Sequence, residues 1–474
     1  MDTLRPLLVW SAVAVPALLS LLALWRRRMR GLPVVAAAVV LAAGILLVVA
    51  VLAGGPVVAA GGLLRADALA AYLLAVVGAV ALTATWGAPA GQDGSFGALV
   101  SAFLAAMSLA LLADNLGVAW VAIEATTIAT AFLVGHHGGR SCLEAAWKYV
   151  VLGSVGVAIA FLGIVLLYAA TSAAGEPTLS WVALTANPPP LDADLTRLAL
   201  GLAALGLATK AGLAPMHSWL PDAHSQAPAQ VSGLMSGVLL AVAFSVILRV
   251  KAISDAVLGA GFMRGLLVVA GLLSLLVAGA LILAQRDYKR LLAYSSIEHM
   301  GLLALGAAAG SPLAIAAVLL HVLGHGLAKA SLFLVAGRLL SVEGSSRIAD
   351  VRCLLHRRPG LAVPFLAGTA ALLGLPPFGL FFTEVVIVVA AWQAGLGWAM
   401  AFALPLLLLV AAGLGRHVLA MTLGPGVRTE RDRDSHGPAA PVAVALGVTG
   451  VLGFAAWPLA GVLSAAAAVL AVTR

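Results

Sequence analysis

Stretches of about twenty apolar residues follow one another along almost the whole chain, and only the hydrocarbon of a bilayer can solvate a polypeptide patterned in this way. About fourteen such runs can be read, near residues 4-25, 31-53, 67-87, 96-113, 115-135, 143-171, 195-214, 228-249, 262-284, 289-309, 312-339, 361-392, 397-422 and 440-472. An open sheet in lipid would leave backbone groups unpaired, so the runs are expected to be helices and the fold class an all-α polytopic membrane protein. Composition agrees, since 474 residues that are 62% hydrophobic and 10% charged exclude a soluble globule. The first run lacks the basic start and small-residue exit of a cleaved signal peptide and is read as a retained helix. No soluble domain is expected between the runs.

Basic residues in short loops set orientation. Arg26, Arg27, Arg28 and Arg30 follow the first run, Arg140 the fifth, and Arg286, Lys289 and Arg290 the ninth. Arg347, Arg352, Arg357 and Arg358 follow the eleventh, and Arg428, Arg431 and Arg433 the thirteenth. All of these are alternate loops. They define a cytoplasmic face and place both termini on the other side of a bacterial inner membrane. This topology accounts for the net charge of +8, and no recognition module speaks for nucleic acid. Cys142 and Cys353 have no CxxC partner, so neither a disulfide nor a cluster is implied. Gly201 and Gly206 lack the lysine that a phosphate loop needs after its second glycine. The pair His136 and His137, in HHGG, reads as a solvated loop. No cofactor and no metal are expected.

What remains are ionisable groups inside apolar runs, each costly enough in lipid to count as a functional candidate. These are Glu124, Lys148, Lys210, His321, His325, Lys329 and Glu384, joined by His217 in the polar stretch LATKAGLAPMHSWLPDAHSQAP. His321, His325 and Lys329 recur at steps of four and share one helix stripe. The 27 basic residues include only five lysines, of which Lys148, Lys210 and Lys329 fall within runs. Arginine keeps its charge, whereas a lysine taken out of water can exchange a proton near neutrality. The bias therefore points to proton transfer. The plainer alternatives are that Lys148 snorkels to the headgroups and that the two histidines are ordinary interior rings bonded to carbonyls.

The apolar pattern is interrupted twice, by GLAP at Gly212 to Pro215 and by GLPP at Gly374 to Pro377. Proline removes a backbone donor, and broken helices survive at membrane depth only where they are buried or line water. Lys210 precedes the first break and Glu384 follows the second. This outlines two units of five helices, inverted because an odd number of crossings reverses direction: residues 96-250 and 260-425, after an N-terminal segment 1-95 and before a last helix 438-474.

The segment KAGLAPMHSWLPDAHSQAPAQVSGLMSGVLL resembles the signature of the antiporter-like membrane subunits shared by complex I, Mrp sodium/proton antiporters and group 4 hydrogenases. DYKRLLAYSSIEHMG, from Asp287 to Gly301, and the stretch from His325 to Phe333 resemble the signature of the second repeat. WVAIEATTIATAFLVG followed by SCLEAAWKYVVLGSVG is most similar to the F branch of the hydrogenase-4 membrane proteins. The resemblance implies fourteen helices with two inverted five-helix repeats. It also implies a Glu124–Lys210 pair, His325 and Lys329 as central relays, Glu384 toward the exit, and Lys148 as a helix-six lysine. Two positions depart from the pattern. SQAP, with Ser225 and Gln226, stands for the usual EAP, and Ala241 occupies the helix-eight position often held by lysine, so waters or a neighbouring histidine must fill that gap. The long lateral helix of the most distal complex I subunit is not expected.

The expected function is proton translocation through these side chains, as a membrane subunit working with other membrane subunits and a peripheral redox arm. A sodium/proton antiporter subunit of Mrp type is the alternative, and sodium would need a cage of hard oxygen ligands. A purely structural anchor is a third reading, kept open by Ala241.

Overall fold

The computed structural model describes residues 5–26, 31–88, 93–136, 138–425 and 439–471. Arg27, Arg28, Arg30, His137, Arg428, Arg431 and Arg433 lie outside the described residues. The chain order begins α1 (Arg5–Trp25), α2 (Leu32–Gly54), α3 (Ala68–Trp86), α4 (Gly94–Leu112), α5 (Leu116–Val134), α6 (Arg140–Ala173), α7 (Trp181–Ala186), α8 (Ala193–Ala211) and α9 (Leu220–Gln226). It continues with α10 (Ala229–Leu258), α11 (Gly261–Leu283), α12 (Tyr288–Ala309), α13 (Pro312–Glu343), α14 (Leu354–Arg357), α15 (Pro359–Leu372), α16 (Gly379–Ala391), α17 (Gly397–Thr422), α18 (Ala439–Phe454) and α19 (Ala460–Leu470). One short hairpin departs from the all-α expectation: Val57–Ala59 pairs antiparallel with Leu64–Ala66, with Val57 opposite Ala66.

Among the described residues, 11 helices are long and apolar enough to cross a membrane, or 12 if the bent pair near the C-terminus is one span. The protein is therefore a polytopic membrane protein. The shortfall from about fourteen runs has local causes. Helix α8 carries Asp194, Arg197 and Lys210, α15 has 14 residues, and α16 continues into α17 through the π turn Trp392–Leu396. The run at 440-472, expected as one helix, is two helices bent by 84°. Pro458 stands in the joining turn, where it can neither donate a backbone hydrogen bond nor sit behind a continuing helix. The run at 228-249 instead extends to Leu258, past Arg249 and Lys251, because both cations are paired. Arg249 Nη1 lies 3.2 Å from Asp67 Oδ2, and Lys251 bonds Asp255.

Helices α10 and α12 are buried along their spans and α13 nearly so, whereas α1, α2 and α6 turn large apolar side chains outward. Charge is inside and hydrocarbon outside, the inverse of a soluble protein. Helices α6 and α8 approach closely through small residues: a Cβ on Gly163 would strike the backbone at Ala203, and one on Gly206 the backbone at Ala160. That seam sets Tyr149 of α6 against Lys210 of α8.

Candidate functional site

The first break positions Lys210. Gly212 takes the left-handed conformation (φ 72°), and Leu213 N–H bonds back to Ala208 O, closing α8 with a Schellman turn. Trp219, beyond the break, donates its indole N–H to Thr209 O at 2.8 Å and satisfies another terminal carbonyl. The Lys210 amine is wholly buried at this end, and its Nζ donates to the Tyr149 hydroxyl at 2.6 Å. It also lies 4.5 Å from the Tyr149 ring centre and 5.9 Å from that of Trp219, within range of cation–π attraction. The polarity of the next bonds is set in turn. Thr130 donates to Thr126 O at 2.6 Å, so at the 2.6 Å contact with Thr130 Oγ1 it is Tyr149 that donates.

The expected partner of Lys210, Glu124, is coupled to it electrostatically but is not within ion-pair distance among the described residues. Glu124 is half-buried and accepts from Thr127 at 3.2 Å and Ser154 at 3.1 Å. The side chain that Lys210 contacts is Tyr149, which no sequence pattern singles out. Tyr149 is itself coupled electrostatically to Glu124.

Lys148 stands apart from this buried group. Its Nζ lies 2.5 Å from Glu144 and 3.6 Å from Asp222, with 37% of the side chain exposed. Asp222 also receives Arg290 Nη2 at 2.9 Å. These groups share a charged cavity of about 1290 Å³ with Arg286, Arg347 and Arg352, on the face where the described basic loops converge. Lys148 is thus a vestibule residue, in keeping with its helix-end position. His217 is half-buried just after Pro215, and its Nδ1 is buried without a partner in the described residues. No hydrogen bond joins it to the other candidates among those residues.

In the second half, α12 supplies what the stripe on α13 faces. Lys329 Nζ, wholly buried, donates to Leu292 O at 2.6 Å and to Ser295 Oγ. His299 Nδ1 lies 3.1 Å from His321 Nε2, and His321 Nδ1 lies 2.9 Å from Thr383 Oγ1 on α16. The rings of His299 and His325 are 4.8 Å apart. Glu298, 4% exposed, is coupled to both Glu384 and Lys329. Glu384 sits against the second break, where Gly374 (φ 58°) has no room for a Cβ because the carboxylate occupies it. Glu298 and Glu384 share a cavity of about 380 Å³ whose other walls are mostly leucine and valine.

Sequence reasoning missed Glu298, His299, His224 and Tyr149. Glu298 and His299 were findable, since an acid beside a histidine in mid-run meets the same cost criterion that marks Glu124. Ala241 and His224 are both buried. The His224 ring lies 6.0 Å from that of Trp219 and 5.8 Å from that of Phe333, and it is coupled electrostatically to Lys329. Its ring nitrogens are buried beside the backbone of Leu220, and His299 Nε2, His325 Nε2 and Gln230 Nε2 are buried without protein partners in the described residues. Buried polar atoms of this kind are satisfied by water. His224 is coupled to Lys329, and Glu298 to both Lys329 and Glu384, while Lys210 Nζ and the His224 ring lie 5.9 Å and 6.0 Å from the Trp219 ring centre.

Residues 113–409 match the family described as NADH:quinone oxidoreductase/Mrp antiporter, TM. A hydrogenase-4 component F homolog from Methylacidiphilum infernorum is 38% identical over 62% of this chain and 62% of its own length. NADH-quinone oxidoreductase subunit 14 of Thermus thermophilus is 34% identical over 79% of this chain and 81% of its own. The match spans less than two thirds of the first of these relatives. Among solved structures, a chain of Thermus thermophilus respiratory complex I with bound NADH superposes with a TM-score of 0.84 at 26% identity, covering 98% of this chain and 99% of that one. A chain of the Mrp complex from Dietzia sp. has the same fold, with a TM-score of 0.88 at 23% identity and coverage of 99% and 98%.

Proposed function

The chain belongs to the NADH:quinone oxidoreductase/Mrp antiporter transmembrane family, and on that premise we propose that it is the proton-translocating membrane subunit of a hydrogenase-4-type or complex I-like redox assembly. Its neighbours are other membrane subunits and a peripheral redox arm, and its place is a bacterial inner membrane with both termini on the non-cytoplasmic side. The redox chemistry belongs to those partners.

One observation carries the reading. Lys210 is a wholly buried amine, held by a tyrosine hydroxyl and facing two aromatic rings. A group that only had to be charged would be better served by arginine. With Glu124 ionised, attraction offsets the lost hydration of the ammonium. When Glu124 is neutralised or withdrawn, that offset disappears and the proton passes toward His224. Lys329, the α12–α13 histidines and Glu298 carry it on to Glu384 through bridging waters, so that no single step spans the bilayer. The charged vestibule with Lys148, Asp222 and Arg290 supplies protons from the cytoplasm.

The same reading takes the two breaks as equivalent points of inverted five-helix repeats, residues 96-250 and 260-425, in a bundle of fourteen crossings. Gly212 and Gly374 share the left-handed cap, and Leu213 and Leu375 share the same bond back to the fifth residue before them. These shared features support the repeat. A second reading, exchange of sodium for protons, is favoured by one observation: Glu298 sets a buried carboxylate on the same cavity as Glu384, so hard oxygen ligands are less scarce than the sequence implies.

Inverted membrane vesicles carrying the assembled complex test both. With a pH-sensitive dye, Lys210→Ala, Lys210→Arg and Glu384→Ala should each cut proton uptake by at least about tenfold, equivalent to ~1.4 kcal/mol on the limiting step. Normal uptake by Lys210→Arg overturns the relay role of Lys210. Uptake that collapses when sodium is replaced by potassium favours the exchanger.

A further inference from the structure

The ring nitrogens of His299 and His321 meet Glu384 in a geometry that reaches beyond proton relay. One ligand-capable atom from each of the three lies within 4.8 Å of the others. A tetrahedral zinc ion with bonds of about 2.0–2.1 Å places its ligands ~3.3 Å apart. The His299 Nδ1 to His321 Nε2 separation, 3.1 Å, is already close to that edge. Glu384 has to close by about 1.5 Å on the same criterion, and the cavity beside it leaves its side chain room to rotate.

The outer contacts suit coordination as well. Thr383 spends its hydroxyl hydrogen on Leu380 O at 2.8 Å, so it accepts from His321 Nδ1–H, and the lone pair of His321 is left on Nε2, facing the cluster. With His299 binding through Nδ1, its hydrogen moves to Nε2, a buried atom 3.4 Å from Glu298 Oε2 and without a hydrogen bond in the described residues. Each imidazole thus has an oxygen behind it, the arrangement that orients histidine toward metals. His325, whose Nε2 is buried and unpartnered, has its ring 4.8 Å from that of His299 and 6.3 Å from that of His321. Lys329 opposes a cation here, and Glu298 with Glu384 outweighs it by one charge when both are ionised.

We propose that His299, His321 and Glu384 form a site for a divalent transition-metal ion of the zinc type, and that an ion bound there arrests proton transfer in the second half of the molecule. The site stands independently of the transport reading, while the arrest rests on it. Neither ligand histidine can pass a proton while its lone pair is held by metal.

The full-length chain in detergent, titrated with Co²⁺ and then Zn²⁺, tests the site. One equivalent of Co²⁺ should give the visible absorption of a four-coordinate ion and be displaced by Zn²⁺. His321→Gln and His299→Gln should weaken binding by at least about thirtyfold, and Thr383→Val by roughly tenfold through loss of the outer contact. His136→Ala should change nothing. Zinc K-edge fine structure on the unaltered chain should show two imidazoles and carboxylate oxygen, a readout that needs no variant to fold. Absence of binding, a thiolate or all-oxygen shell, or a site indifferent to His321→Gln overturns the assignment. In vesicles that pump protons, Zn²⁺ should slow uptake reversibly with a chelator. Pumping that continues with the ion bound overturns the arrest and leaves the site standing.

Discussion

The two breaks are alike in backbone and unlike in everything placed around it. At both, a left-handed glycine ends a helix, a leucine N–H reaches back to the same carbonyl, and a cis X-Pro bond follows at Ala214–Pro215 and Pro376–Pro377. Registered on their glycines, the breaks do not pair Lys210 with Glu384. Lys210 stands two residues before Gly212, where the second break has Leu372, and Asp222 and Glu384 each stand ten residues beyond. The first half thus keeps its cation before the break, sealed by Tyr149 and Trp219, and its anion beyond it in an open vestibule. The helix that ends at the second break, α15, carries no ionisable group, and the anion beyond that break faces an apolar cavity. One backbone device serves two electrostatic purposes because it frees carbonyls and turns a helix without dictating which charge is set there.

The sharpest way to break this comparison is to exchange the charges. Lys210→Glu puts a carboxylate where the nearest hydroxyl is already committed to Thr130, an uncompensated buried charge costing about 3–5 kcal/mol. Proton uptake by vesicles should fall at least about a hundredfold, with assembly checked by co-purification. Glu384→Lys, beside Glu298 and a cavity, should retain uptake within about tenfold of the parent on the same reasoning. Equal damage from both exchanges would mean that the halves are electrostatically equivalent.

A smaller effect separates the glycines. A left-handed alanine costs roughly 1–2 kcal/mol at either position, but at Gly374 its methyl also displaces the Glu384 carboxylate. Gly374→Ala should therefore lower uptake about tenfold, whereas Gly212→Ala should chiefly lower the melting temperature of the complex, since its Cβ meets Leu220 and Leu240 side chains. Tyr149→Phe removes the acceptor of a buried ammonium, a loss of about 1–3 kcal/mol, and should slow uptake roughly fivefold or more while Tyr149→Trp fails to restore it. Least of all, Asp222→Asn should cost about twofold at low ionic strength and nothing at high salt, because its partners are partly exposed and screened.

Lys210 and its break could be read from the sequence because a lysine and a proline in an apolar run are both rare and both costly. The His321, His325 and Lys329 stripe was legible from its spacing of four. The groups around them were not, since Tyr149 and His299 act through helices brought alongside by tertiary packing, and a hydroxyl in an aromatic ring costs too little to stand out. The resemblance implies a Glu124–Lys210 pair, but the side chain that Lys210 contacts is a tyrosine of α6, and the glycine seam with α8 brings that helix alongside. Lys251 reads as a boundary by its charge and instead lies inside α10, neutralised by Asp255 four residues on. Pairing is the property a hydropathy profile cannot sense.

The bonds behind Lys210 have a direction. Amine gives to phenol, phenol to threonine, and threonine to the carbonyl of Thr126, which cannot pass a hydrogen further. That arm ends blind at a peptide oxygen, but the phenol also meets Thr127, whose hydroxyl reaches the Glu124 carboxylate at 3.2 Å. The tyrosine is thereby a fork, with one arm closed at the Thr126 carbonyl and the other turned toward the carboxylate on α5.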